Sequence, residues 1–172
     1  MTEPIQDCAG AFDRAFVARA PNLTCRPQRR DDAEFLTDLF VACSPMAGML
    51  PDPLLRHQAL IQRVAHDTAH PEAMQRIAEL EGRPIGRFMI AWRSAESHGV
   101  DLAVMPEARA TGAGLYFLRA WIEVADAVRV PAVLEVAIEN PALRIYRRLG
   151  FEVAEGQQTG PVVTMRRPVR RR

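Results

Sequence analysis

Arg109-Ala110-Thr111-Gly112-Ala113-Gly114 sets a cation and two glycines where they could hold an anion. Before them runs Val100-Asp101-Leu102-Ala103-Val104-Met105-Pro106, an apolar segment of strand character. After them Leu115, Leu118, Ile122 and Ala125 recur as one face of a helix. A strand, a glycine loop and a helix start make a pyrophosphate cradle, because the first N–H groups of a helix are unpaired and sit at the positive end of its dipole. A Gly-x-Gly-x-x-Gly dinucleotide site is excluded, since its third glycine position is Phe117.

A second segment, Asn140-Pro141-Ala142-Leu143-Arg144-Ile145-Tyr146-Arg147-Arg148-Leu149-Gly150-Phe151, reads as a short helix with both ends written in. Asn140 is placed to cap it, Pro141 fits the first helical position, and Gly150 closes its C-terminus. Together the two segments resemble the GNAT superfamily of N-acetyltransferases. Arg109-x-x-Gly112-x-Gly114 is similar to its acetyl-coenzyme A (acetyl-CoA) signature, Gln/Arg-x-x-Gly-x-Gly/Ala. Met105-Pro106-Glu107-Ala108-Arg109 is similar to the Val-x-Pro-Glu-x-Arg approach. The second segment resembles Asn-x-x-Ala-x-x-x-Tyr-x-x-x-Gly-Phe, with Ala142 one place early. The likeness runs from about residue 85 to 152.

The resemblance implies acetyl transfer from acetyl-CoA, as co-substrate, to an amine. Arg109, Ala110, Thr111, Gly112, Ala113 and Gly114 would hold the pyrophosphate. Leu102, Ala103 and Val104 would offer strand-edge groups to the pantetheine amides. Asn140, besides its capping role, and Leu143 would meet the same arm. Tyr146 is the implied general acid, a phenol of pKa about 10 suited to a departing thiolate of similar basicity. Glu96 is the first candidate base, Asp101 the alternative, and His98 a third. Cys43 sits on an apolar helical stripe, where a lone cysteine belongs to a core, so direct attack in a ternary complex is preferred to an acyl-enzyme.

These groups must be positioned by a mixed set of elements. Residues 1–20 form either a short amphipathic helix around Phe12, Phe16 and Val17 or a loosely ordered arm, and the extension packs either on the domain or on a second subunit. Leu23–Arg26 reads as a strand, and Asp31 with Glu34 as a capping box. Phe35, Leu36, Leu39, Phe40 and Cys43 give a helix its stripe, and Leu54, Leu60, Ile61 and Val64 suggest a second helix. Strands are expected near 75–80 and 85–92 around a turn at Glu81-Gly82-Arg83-Pro84, then before the glycine loop, and at 133–138. Helix 112–128 links the last two. Segments 151–154 and 162–165 pair as a hairpin across a Gly/Gln turn.

The expected fold class is therefore α+β (α/β in looser usage), a mixed, mainly antiparallel sheet flanked by helices. The resemblance adds a splay between the fourth and fifth strands, placed between Asp101–Val104 and Val133–Ile138. The domain reading is a 1–20 extension, a single acetyltransferase domain over 21–168, and a basic tail at 169–172 that continues the Arg166-Arg167-Pro168 run.

At 172 residues with 48% hydrophobic content, the chain fits one domain. A net charge of +1 and 6% aromatics argue against a nucleic-acid surface. Cys8, Cys25 and Cys43 lie far apart without metal-ligand spacing, and no metal is expected. The N-terminal residues suit neither a signal peptide nor a membrane span, so a cytoplasmic protein is expected. The expected partner is a small-molecule or protein amine, with no membrane and no nucleic acid, and with a homodimer left open. Segment 43–71, with Met46, Met49, Leu50 and Leu54 as an apolar wall and Asp52 and Asp67 as anionic groups, is where acceptor choice would lie. The competing reading is a non-catalytic module that binds acetyl-CoA for regulation.

Overall fold

A computed structural model describes residues 7–170, with backbone only for 155–159. Seven strands form one sheet: β1 (Leu23–Pro27), β2 (Met74–Leu80), β3 (Arg83–Trp92), β4 (Ser97–Val104), β5 (Ala132–Ala137), β6 (Glu152–Thr159) and β7 (Val162–Arg167). Their order across the sheet is β1-β2-β3-β4-β5-β7-β6. All neighbours are antiparallel except β4 and β5, which are parallel. A parallel pair needs a crossover, and helix α4, counted after the three described next, supplies it over Ala113–Ala127. The expected mixed, mainly antiparallel sheet is present.

Helix α1 (Cys8–Val17) packs on α4 over one face of the sheet. Phe12, Phe16, Phe88, Phe117, Trp121 and Phe151 are all less than 2% exposed there. Phe16 and Phe117 rings lie 4.8 Å apart, and Phe88 and Phe117 5.2 Å. Full burial of each such side chain contributes about 1.5–3 kcal/mol. The open choice for the first twenty residues is thus decided for α1, which belongs to the domain core. A two-bond ion pair between Asp13 and Arg76 of β2 (2.7 and 3.1 Å) fastens it to the sheet. Residues 1–6 of the expected extension, and 171–172 of the expected tail, lie outside the described residues.

The other face carries α2 (Ala33–Cys43) and α3 (Asp52–Ala69), which bury Leu36, Leu39, Leu55 and Ala59. Several local readings are refined. Asp32, not Asp31, secures the entry to α2: its buried carboxylate accepts from the Arg29 N–H at 2.6 Å and pairs with Arg26. The expected second helix is present as α3, in which Leu54, Leu60, Ile61 and Val64 stay 44–56% exposed while Leu55 and Ala59 turn inward. Arg166 and Arg167, read as the start of a tail, lie within β7. Arg166 pairs with Glu96, and Arg167 grips Asp126 with two bonds of 2.8 and 2.9 Å. The last hairpin turn is shorter than expected, because β6 runs on to Thr159 and pairs with Val162.

Candidate active site

The seam between β4 and β5 is three pairs long: Ser97 with Ala132, His98 with Val133, and Gly99 with Leu134. Its closed end is locked by Trp121, whose Nε1–H donates to Ser97 Oγ at 2.9 Å, while the Ser97 N–H donates to the Pro131 carbonyl at 2.9 Å. Past Gly99 the register with β3 jumps, with Gly99 opposite Ile90 and Asp101 opposite Met89, so Val100 is an extra residue. A β-bulge bends its strand and increases local twist. The strands part at that residue. The expected splay is present, and its local cause, the bulge, was signalled only by a glycine inside an apolar strand. Gly99 is required there, since a Cβ would lie 2.8 Å from the Trp121 ring.

The wedge beyond the seam is a cavity of about 190 Å³. Val100, Asp101 and Leu102 line it from β4, Glu135, Val136 and Ala137 from β5, and Asn140 and Tyr146 from beyond β5. Helix α5 (Leu143–Arg148) carries Tyr146 into it. The Asn140 side chain accepts from the Ala142 N–H at 2.9 Å, which supports its capping role one turn before the helix proper. Gly150 at φ 90° donates to Arg147 O, and Phe151 N–H reaches back to Tyr146 O, the two bonds of a Schellman end. Tyr146 is 8% exposed. Burial, and then the nearby Asp101 carboxylate, push its phenol above the ordinary value. Its protonated form is the one this site holds. Leu143 is half-buried against the main core, while Arg144, Arg147 and Arg148 are exposed.

At the open end of β4, Pro106–Thr111 form a 3-10 helix where a loop was expected. Gly112 follows at φ 80°, a left-handed conformation suited to glycine, and α4 begins at Ala113. Thr111 Oγ1 donates to Ala108 O at 2.7 Å and accepts from the Ala113 N–H at 3.3 Å. The amides of Gly114 and Leu115 take no hydrogen-bond partner among the described residues. A Cβ on Gly114 would touch only Val104 at 3.7 Å. Ala110 and Arg109 are exposed, and Arg109 Nη2 lies 3.9 Å from Cys43 Sγ. The Cys43 thiol is raised by burial against the opposing pull of Arg109, and donates to Val104 O at 3.3 Å.

The α2–α3 face of the sheet holds a second cavity of about 230 Å³ beside β4. Asp101 borders both cavities. Its carboxylate accepts from Arg87 Nη1 at 3.0 Å, and Arg87 Nη2 donates to Gln75. Burial holds the imidazoles of His66 and His98 below the ordinary histidine value.

Glu96 is placed elsewhere. It lies in the turn before β4, at the closed end of the seam, where Arg166 holds its carboxylate at 3.0 Å. Five residues of strand put it roughly 16 Å from Asp101 along β4. The carboxylates that face the wedge are Asp101 and Glu135. Glu135 was not among the expected site residues, although it is the one charged position in the apolar run Val133–Ala137.

Residues 73–153 match the family described as the acetyltransferase (GNAT) domain. That segment, just under half of the chain, is similar to the family's acetyltransferase domain. The matched segment begins just before β2 and ends just after α5, so it holds the glycine loop, the splayed strands and Tyr146. No curated protein matches the chain. Among solved structures it is similar to Ard1 from Thermoplasma volcanium (18% identity, 87% of this chain and 99% of that one, TM-score 0.65). It is also similar to the PaiA N-acetyltransferase from Thermoplasma acidophilum in complex with coenzyme A (15%, 85% and 98%, TM-score 0.64). A third is the ribosomal-protein-S18-alanine N-acetyltransferase from Escherichia coli (17%, 86% and 94%, TM-score 0.63). At these identities the likeness is one of fold, and the GNAT fold covers nearly the whole chain. None of its helices among the described residues is long and apolar enough to cross a membrane.

Proposed function

We propose that this chain transfers the acetyl group of acetyl-CoA to a primary amine, within a ternary complex. The observation that carries the reading is the wedge between β4 and β5, with a buried tyrosine on one wall and two carboxylates on the others. The residues fit coenzyme A. Two unpartnered amides at the start of α4, Gly114 and Leu115, and the cation of Arg109 suit a pyrophosphate. The edge of β4 that faces β5 has no strand partner beyond Gly99, along Leu102, Ala103 and Val104, and suits an amide-bearing arm. When bound, the cofactor supplies an acyl group activated as a thioester.

The chain's own groups then have separate tasks. Asp101 holds the incoming ammonium beside the wedge. Glu135, which makes no ion pair among the described residues, takes the proton that leaves the amine. Tyr146 keeps its phenolic proton until a thiolate needs it. Cys43 stays a thiol, its sulfur hydrogen lent to Val104 O, so no acyl group passes through it.

Acceptor-dependent release of the coenzyme A thiol tests the reading, in the unmodified protein and in Tyr146→Phe. Release that falls at least about tenfold in the variant supports transfer with Tyr146 as the acid. Equal release removes Tyr146 from the chemistry. Acetyl-CoA binding without release for any amine leaves the regulatory module as the better reading.

A further inference from the structure

The cavity on the α2–α3 face has walls of two kinds. Leu36, Leu39 and Phe40 make one side apolar. Asp101, Arg87 and Arg63 make the other side charged. The charges do not balance, with two guanidinium groups against one carboxylate. Arg87 is 5% exposed, and its Nε, buried, has no hydrogen-bond partner. A buried donor left unmade costs about 1–3 kcal/mol, and this one belongs to a cation that lines the cavity with part of its donor capacity unused. Arg63 makes no ion pair among the described residues, and its one side-chain bond is to the Ala33 carbonyl at 3.2 Å. Four of its five N–H donors remain.

Arg87 and Asp101 stand side by side, with Nη1 and Oδ2 3.0 Å apart. A zwitterion carries the mirror image of that arrangement, an ammonium and a carboxylate on one carbon. The cavity, at about 230 Å³, lies below the 300–1,000 Å³ typical of sites for drug-sized ligands. A polyamine or a lysine-rich peptide would bring further cations against two arginines, at a cost in like-charge repulsion.

Resting on the transfer reading above, we propose that the acceptor is a free α-amino acid with an apolar side chain. Its ammonium lies against Asp101, its carboxylate against Arg63 and Arg87, and its side chain against Leu36, Leu39 and Phe40. This orientation turns the amine toward β4 and the wedge, and it makes the free carboxylate a requirement for recognition.

Thiol release from acetyl-CoA is compared for L-leucine and L-methionine, for leucinamide, for 3-methylbutylamine and for spermidine. The expected result is a kcat/KM for the free amino acids at least about tenfold above that of leucinamide or 3-methylbutylamine, the range of one or two lost charged hydrogen bonds. In Arg63→Gln the ratio of leucine to 3-methylbutylamine falls by about tenfold, chiefly through the KM for leucine. Equal or better use of leucinamide, 3-methylbutylamine or spermidine overturns the amino-acid assignment and leaves acetyl transfer standing. A ratio unchanged in Arg63→Gln also overturns it. No release with any of the five, while acetyl-CoA still raises the Tm, overturns the transfer reading and this one with it.

Discussion

The Phe151 N–H donates to the Tyr146 carbonyl at 3.0 Å, and the two rings meet edge-on with centroids 6.0 Å apart. The closing turn of α5 thus sets the angle at which Tyr146 enters the wedge. Gly150 makes the turn at φ 90°. A Cβ there meets Arg170 Nη2 at 3.4 Å, so the main obstacle to substitution is backbone strain rather than space. Gly150→Ala is expected to cost about 1–2 kcal/mol, or roughly 2–8 °C in Tm. Thermal unfolding reads it, and a variant as stable as the unmodified protein would show that the turn is not held in this form.

Tyr146 also carries a signature at high pH. Its phenol is raised in the folded protein by burial and by Asp101. The unfolded chain therefore loses this proton first, near pH ~10. Below that pH the contribution to stability is fully present, and above it stability falls as pH rises. The alkaline limb of the unfolding curve is expected to be shallower in Tyr146→Phe. An identical slope in both proteins would mean that the phenol is not protected in the fold.

The histidines act at the other end of the scale. His66 and His98 are lowered by burial. His66 faces Asp101, Arg87, His70 and Asp67, and His98 faces Glu135, His70, Arg93 and Glu96. Their neutral forms suit the fold, so the contribution is present above pH ~6.5 and is lost as pH falls through the lowered values. Urea midpoints between pH 7 and pH 5 are expected to drop less steeply in the His66→Gln/His98→Gln double variant. A steeper drop would reverse the assignment.

Gly99→Ala probes the seam. The added methyl would lie 2.8 and 2.9 Å from two carbons of the Trp121 ring, and this indole is fully buried. The ring must move, which strains its bond to Ser97 Oγ. Overpacking of this kind costs about 1–3 kcal/mol. A loss of stability with a red shift in tryptophan fluorescence is expected, and an unshifted spectrum would count against the contact.

Much of this was legible in the chain, and the reason is physical. Arg109, Gly112, Gly114 and Tyr146 sit in local segments whose turn residues and helix ends fix their own geometry, so the strand, turn and helix ends around them could be read from the sequence, while their proposed roles came from the resemblance. The strands were legible because Ile85–Trp92 and Val133–Ile138 are predominantly apolar runs of strand length between turn residues. What escaped depended on partners far along the chain. The sequence puts Glu96 ahead of Asp101 as the base, but the pairing of Glu96 with Arg166, 70 residues away, has no local sign there. Arg87 gave no local sign of its role, which comes from lying opposite Ala103 on β4, beside Asp101. The apolar residues of α3 revealed a helix but not which side of it would face inward.

Three residue pairs hold the two parts of the sheet together at the β4–β5 seam, and beyond them the strands diverge like plates riveted at one end. An arm laid in that wedge occupies the hydrogen-bonding positions that a neighbouring strand would fill. Loading and strand pairing are therefore the same event in mechanical terms. If the wedge takes coenzyme A as proposed, amide exchange along both of its edges is expected to slow on loading, which would count the loaded molecules directly.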